Sequence, residues 1–131
     1  IYLDTPVCDP RSWPGGLGSG RGSKADWQRL LGAYGVVDAH TWDSAFPVFR
    51  HAPSLASERI PMLNVISEND VIVPPSENTL LLRKKMQSLG HDIELIRVKE
   101  GTSASGGHHF THPRPDHVVR FFLEHGNPQK R

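Results

Sequence analysis

Apolar positions recur along this chain in two rhythms. Met62-Leu63-Asn64-Val65-Ile66 follows Pro61 as a compact, largely aliphatic run, and Ile93 to Val98 forms a second. Both read as strands. Ile1 to Asp4 is a shorter run that gives way to Thr5-Pro6, which suits a buried strand entering a loop. Elsewhere the spacing is helical. Trp27, Leu30, Leu31 and Tyr34 mark a helix over residues 24–34, with Ser23 as its N-cap and Gly35 as its stop. Leu82, Met86 and Leu89 share one face of a helix expected to start at Ser76 and end at Gly90. Val118, Val119, Phe122 and Leu123 mark a last helix closed by Gly126. A short helix is also expected over 38–46, whereas 47–58 reads as irregular, with one helical turn near Leu55. Residues 11–23, rich in Gly and Pro, read as a loop. Strands separated by helices point to parallel βαβ units, so the expected fold class is α/β.

Composition narrows the picture further. The 131 residues suffice for one domain with a core and are too few to argue for two. Fifteen basic side chains stand against fourteen acidic ones, so charge gives no reason to expect nucleic acid or a membrane surface as partner. No apolar run approaches the roughly 18 residues of a membrane span. Cys8 is the sole cysteine, so no internal disulfide can form, and cysteine usage leaves the compartment open. The chain opens directly in a strand-like run at Ile1, which reads as a cut end within a longer protein, with any targeting segment lost upstream.

Reactive side chains fall just beyond two of the expected strands. In open parallel sheets ligands sit beyond the carboxyl ends of the strands. Ser67-Glu68-Asn69-Asp70 follows the strand at 62–66, and Gly106-Gly107-His108-His109 follows the strand at 93–98. An Asp and a His on neighbouring strand-end loops can hydrogen-bond. The carboxylate then fixes the imidazole in the tautomer that accepts a proton from a nucleophile.

From Ile60 to Leu123 the chain resembles the terminal βαβα unit of an α/β-hydrolase. The matching features are Pro61, the strand, Asp70, Val73-Pro74, a helix, a strand, and Gly107-His108 before the last helix. The order acid then histidine agrees with the family order of nucleophile, acid, histidine. The first half resembles an esterase-like or prolyl-oligopeptidase-like bacterial subgroup. The phrases carrying this are Tyr2-Leu3-Asp4-Thr5-Pro6-Val7-Cys8-Asp9, Ser12-Trp13-Pro14-Gly15-Gly16, and a Gly-rich basic loop before Asp26-Trp27. Asn78-Thr79-Leu80-Leu81-Leu82 and the His-His pair fit the same subgroup. The resemblance implies a partial α/β-hydrolase domain whose strands 1–4, 62–66 and 93–98 are the last three of the sheet. Residues 5–59 would then form access loops and short helices, and 60–125 the terminal βαβα unit. It also implies Asp70 as the acid, His108 as the base, and no cofactor or metal. Asp9 and Trp13 are candidates for the substrate entrance, and a turn carboxylate and a loop-anchoring indole account for them equally well. The substrate would be a small-molecule ester or a peptide.

One part of the family pattern is absent. No Gly-x-Ser-x-Gly elbow occurs in the chain: Gly101-Thr102-Ser103-Ala104-Ser105 starts like one but ends in Ser, and Gly18-Ser19-Gly20 lacks the outer spacing. The nucleophile and the oxyanion hole are therefore expected upstream of Ile1, and these residues alone are expected to be inactive.

Plainer readings stand beside these. Asp after a strand is a common turn residue. His109 rivals His108 as base, although Gly107 favours His108. His108, His109 and His112 offer nitrogen ligands, which would make a His-dependent metallohydrolase, but no His-Glu-x-x-His helix is present. A hydrolase-like binding module without catalysis is the main competing class. Gly15 to Lys24 lacks the spacing and preceding strand of a phosphate-binding loop, and reads as a flexible loop at the rim of the site. Cys8 reads as a packed side chain with no dedicated base.

Overall fold

Strand β2, Leu63–Ser67, is buried along its whole length, as a strand covered on both faces must be. In the computed structural model, which describes residues 1–36 and 47–126, it is the middle of a three-stranded parallel sheet. Tyr2–Asp4 forms β1 on one side and Glu94–Val98 forms β3 on the other. Tyr2 pairs with Leu63 and Leu63 with Glu94; the register continues through Leu3, Asn64 and Leu95. Helices α1 (Lys24–Tyr34) and α2 (Pro47–Ser57) lie between β1 and β2 in the chain. Helix α3 (Thr79–Ser88) connects β2 to β3, and α4 (Pro115–His125) closes the described chain. The fold class is α/β, as the alternation of strands and helices predicts. None of the described helices is long and apolar enough to cross a membrane.

Alternation along the strands divides the core in two. Leu63, Val65 and Ile96 pack with Phe121 of α4. Leu3 and Leu95 pack with Cys8, Met62 and Ile93, and with Ala52 and Ala56 of α2 and Leu82 and Met86 of α3.

Several expectations need correction. Residues 47–57, expected to be irregular, form a continuous helix despite Pro53 in its interior. Pro47 stands at its first position, where the fixed φ of proline favours a helix. Ala52 and Ala56, four residues apart, let this helix approach α3 closely. Helix α3 starts at Thr79 instead of Ser76, because residues 74–78 are tied in turns such as Glu77 N–H to Pro74 O and Asn78 N–H to Pro75 O. Leu89 lies beyond its end and is exposed. In α4 the buried residue is Phe121, while Val119, Phe122 and Leu123 face outward. Helix α1 has the expected caps: Asp26 N–H donates to Ser23 Oγ, and Gly35 takes a left-handed conformation. None of its residues is fully buried, however, and Tyr34 is exposed. The helix expected over 38–46 lies outside the described residues.

Candidate active site

Because β2 and β3 run parallel, the loops that leave them emerge at the same end of the sheet. The first loop turns at once. Asp70 N–H donates to Ser67 O (3.3 Å), and the Asp70 side chain folds back on its own loop. Its Oδ1 accepts the backbone N–H groups of Ile72 (2.8 Å) and Val73 (2.9 Å). This is the Asx-turn chemistry that makes Asp a common turn residue, but it uses only one of the two oxygens. The second, Oδ2, lies 2.7 Å from His108 Nδ1.

That contact assigns the tautomer. The Asp70 carboxylate has no solvent exposure, and a buried carboxylate is tolerated only when donors meet it. An ionised carboxylate accepts and does not donate, so Nδ1 carries the proton and donates. In the neutral imidazole the lone pair is then on Nε2. The His108 side chain is about a quarter exposed, and no described residue hydrogen-bonds its Nε2. The result is an oriented imidazole with its basic nitrogen open.

The histidine loop is built to hold that ring. Ser103–Ser105 forms a 3-10 turn, followed by Gly106 and Gly107, both with positive φ. Gly107 N–H donates to Thr102 O (2.9 Å), His108 N–H to Ser105 O (3.2 Å), and Thr102 N–H to His109 O (2.7 Å). Ser105 Oγ accepts the N–H of His109 (2.8 Å). The Gly before the histidine has two physical reasons. Its φ of 84° favours a residue without Cβ, and a Cβ there would collide with the backbone of Asn69. The Ser and Gly residues that lengthen this loop are those that close its turn.

Sequence reasoning brought Asp70 and His108 together, and the structure pairs them. His109 is not bonded to Asp70; its ring lies beside that of His108, with centroids 5.3 Å apart. The structure does not join Asp9 or Trp13 to this pair by any described hydrogen bond. Asp9 Oδ1 accepts from the Arg11 backbone, and its carboxylate is bonded by the Arg11 guanidinium at 2.7–3.1 Å. Asp9 borders a cleft of about 370 Å³ with Ser12, Leu17, Ser76, Glu77 and Leu81. Asp70 borders a separate cleft of about 240 Å³ with Ile66, Glu68, Pro74, Leu80 and Arg97. Ser76 lines both. Trp13 is half-buried and precedes the cis Pro14.

The Gly-rich loop does reach the loop that carries Asp70. Arg21 N–H donates to Val71 O (2.9 Å), next to Asp70, and Gly20 packs against Pro74 and Ile72 O. Ser19 Oγ donates to Glu77 Oε1 (2.6 Å). Burial works against the charge on Glu77, but hydrogen bonds led by Ser19 outweigh it and hold this carboxyl below its ordinary pKa.

Cys8 offers no nucleophile. Burial, with Asp9 adding to it, pushes the thiol up to about 12, so the reactive thiolate is absent at neutral pH. Among the described residues no group of three or more His, Cys, Asp or Glu side chains is arranged to hold an ion. His112 Nδ1 accepts the N–H of Arg114, and its ring lies 6.2 Å from that of Tyr2.

Two residues of structural consequence carried no periodic signal in the sequence. Asn69 Oδ1 accepts from Ser67 Oγ and from Gly101 N–H, both at 2.8 Å. Asn78, buried, links the loop after β1 to the start of α3. Asn78 entered only through the family resemblance, and Asn69 only as a neighbour of the acid.

No protein-family model matches the chain, and no match emerges among curated proteins or solved structures.

Proposed function

We propose that these residues supply the acid and the base of a serine hydrolase of the α/β-hydrolase type, acting on carboxylic-ester or peptide bonds. The observation that carries this is the 2.7 Å contact between His108 Nδ1 and Asp70 Oδ2, with the other carboxylate oxygen held by two backbone N–H groups and His108 Nε2 left open. In this reading the nucleophile lies outside these 131 residues, which contain no Gly-x-Ser-x-Gly segment.

In this reading His108 Nε2 takes the proton of a serine Oγ as that oxygen attacks the carbonyl carbon of the substrate. The resulting imidazolium is stabilised by the Asp70 carboxylate, which keeps its own charge. His108 then returns the proton to the leaving alkoxide or amine, and the acyl group passes to water by the same steps. Donors for the oxyanion come from outside the chain, as the nucleophile does. The clefts beside Asp70 and Asp9, and the Gly-rich loop bonded to Val71, are the surfaces on which specificity would be built.

The test is steady-state ester hydrolysis by the complete gene product. His108→Ala should lower kcat by at least about a thousandfold. Asp70→Asn should lower kcat by about 10⁴-fold, since an amide presents a donor to Nδ1 and favours the wrong tautomer. Turnover that survives both substitutions would overturn the assignment, and a complete gene product without ester turnover would point instead to a hydrolase-like binding module.

A further inference from the structure

The Asp70–His108 contact is not the only bond between the two strand-end loops. The residues directly flanking Asp70 each hold the histidine loop, at different points. On one side, Asn69 Oδ1 accepts Gly101 N–H (2.8 Å) near the start of that loop. On the other, Val71 N–H donates to Gly106 O (2.9 Å) near its end. Asn69 is itself oriented by Ser67, a buried residue at the end of β2 whose hydroxyl donates to the same Oδ1. The fit is close. A Cβ on Gly101 would come within 2.8 Å of Ser67 Oγ and would strike the backbone of Gly107, and one on Gly107 would strike Asn69.

We propose that Asn69 is a positioning residue: its side-chain oxygen clasps the histidine loop to the acid loop and so sets the register in which His108 meets Asp70. Ten positions separate the end of β3 from His108. A free loop of that length would sample many arrangements in which the ring misses the carboxylate, and each anchor removes part of that freedom. Productive geometry of a catalytic pair tolerates errors of only about 0.5 Å, which a doubly anchored loop can meet. Asn69 uses only its acceptor in these bonds, so an aspartate at this position keeps the clasp and an alanine removes it. The inference rests on the reading of Asp70 and His108 as an acid–base pair.

The experiment is proton NMR of the complete gene product, following the far-downfield Nδ1 proton of His108, assigned by its loss in Asp70→Ala. Its exchange with water reports how often the pair opens. Asn69→Ala should speed this exchange about tenfold, the weight of one lost hydrogen bond on local opening, while the melting midpoint stays near that of the parent. Asn69→Asp should restore slow exchange. Unchanged exchange in Asn69→Ala overturns the proposal, as does faster exchange that aspartate fails to rescue. Absence of the resonance in the parent chain removes the pair itself, and both proposals with it. Loss of the functional reading alone looks different: the resonance remains and responds to Asn69, while ester turnover ignores His108.

Discussion

The Asn78 amide makes four hydrogen bonds inside the protein. Oδ1 accepts the N–H groups of Cys8 (2.9 Å) and Asp9 (3.0 Å), and Nδ2 donates to Ser12 Oγ and Pro74 O (both 3.0 Å). A buried amide that satisfies its neighbours this fully is costly to remove, because the donors it served stay dry and unpaired. Asn78→Ala should therefore lower stability by about 2–4 kcal/mol in urea unfolding. Asn78→Asp should not rescue it, since a carboxylate keeps the two acceptor bonds but turns an acceptor toward Pro74 O. A change below about 0.5 kcal/mol would show that this hub is ornamental. Asn64 is the contrast. It is fully buried in the middle of β2, yet neither end of its amide has a partner among the described residues. Neither behaviour could be read in advance: an Asn in an apolar run and an Asn before a helix look alike in sequence. The Asp70–His108 pair was legible because an Asp and a His stand just beyond two strand ends, and because the family resemblance singled out His108 over His109.

Elements were legible where one rhythm dominated and obscure where two competed. The aliphatic runs around Leu63 and Ile96 fixed strands to within a residue of the observed bounds. In α4, by contrast, Val118, Val119, Phe121, Phe122 and Leu123 are apolar around most of the helix, so spacing cannot say which side is inward. Tertiary contact decides it: Phe121 packs against Leu63, Val65 and Ile96, and its ring meets His125 edge-on at 4.8 Å between centroids. Helix α2 was hidden by Pro53, a helix breaker by propensity that packing of Ala52 and Ala56 overrides. The observed face of α4 has a direct consequence. Phe121→Ala should destabilise by about 3–5 kcal/mol, as for a buried aromatic, whereas Leu123→Ala should change stability by less than about 0.5 kcal/mol. Thermal or urea unfolding of the two variants checks this, and a reversed order would mean that α4 is rotated.

At the scale of the whole molecule, one geometric fact organises the rest. A parallel sheet sends the loops after β2 and β3 to the same end, so residues 38 positions apart meet with a 2.7 Å hydrogen bond. That much follows from alternating strands and helices and from where Asp and His fall along them. The clasp through Asn69, the hub at Asn78 and the Gly-rich loop bonded to Val71 do not follow, because lateral polar contacts leave no period in a sequence. Under the proposed function, His108 serves a serine carried outside these residues. Labelling the complete gene product with a serine-directed fluorophosphonate, then mapping the adduct by mass spectrometry, tests it most directly. One adduct is expected, on the Ser of a Gly-x-Ser-x-Gly segment outside residues 1–131, and it should be lost in His108→Ala. An adduct within residues 1–131, or labelling indifferent to His108, would contradict it.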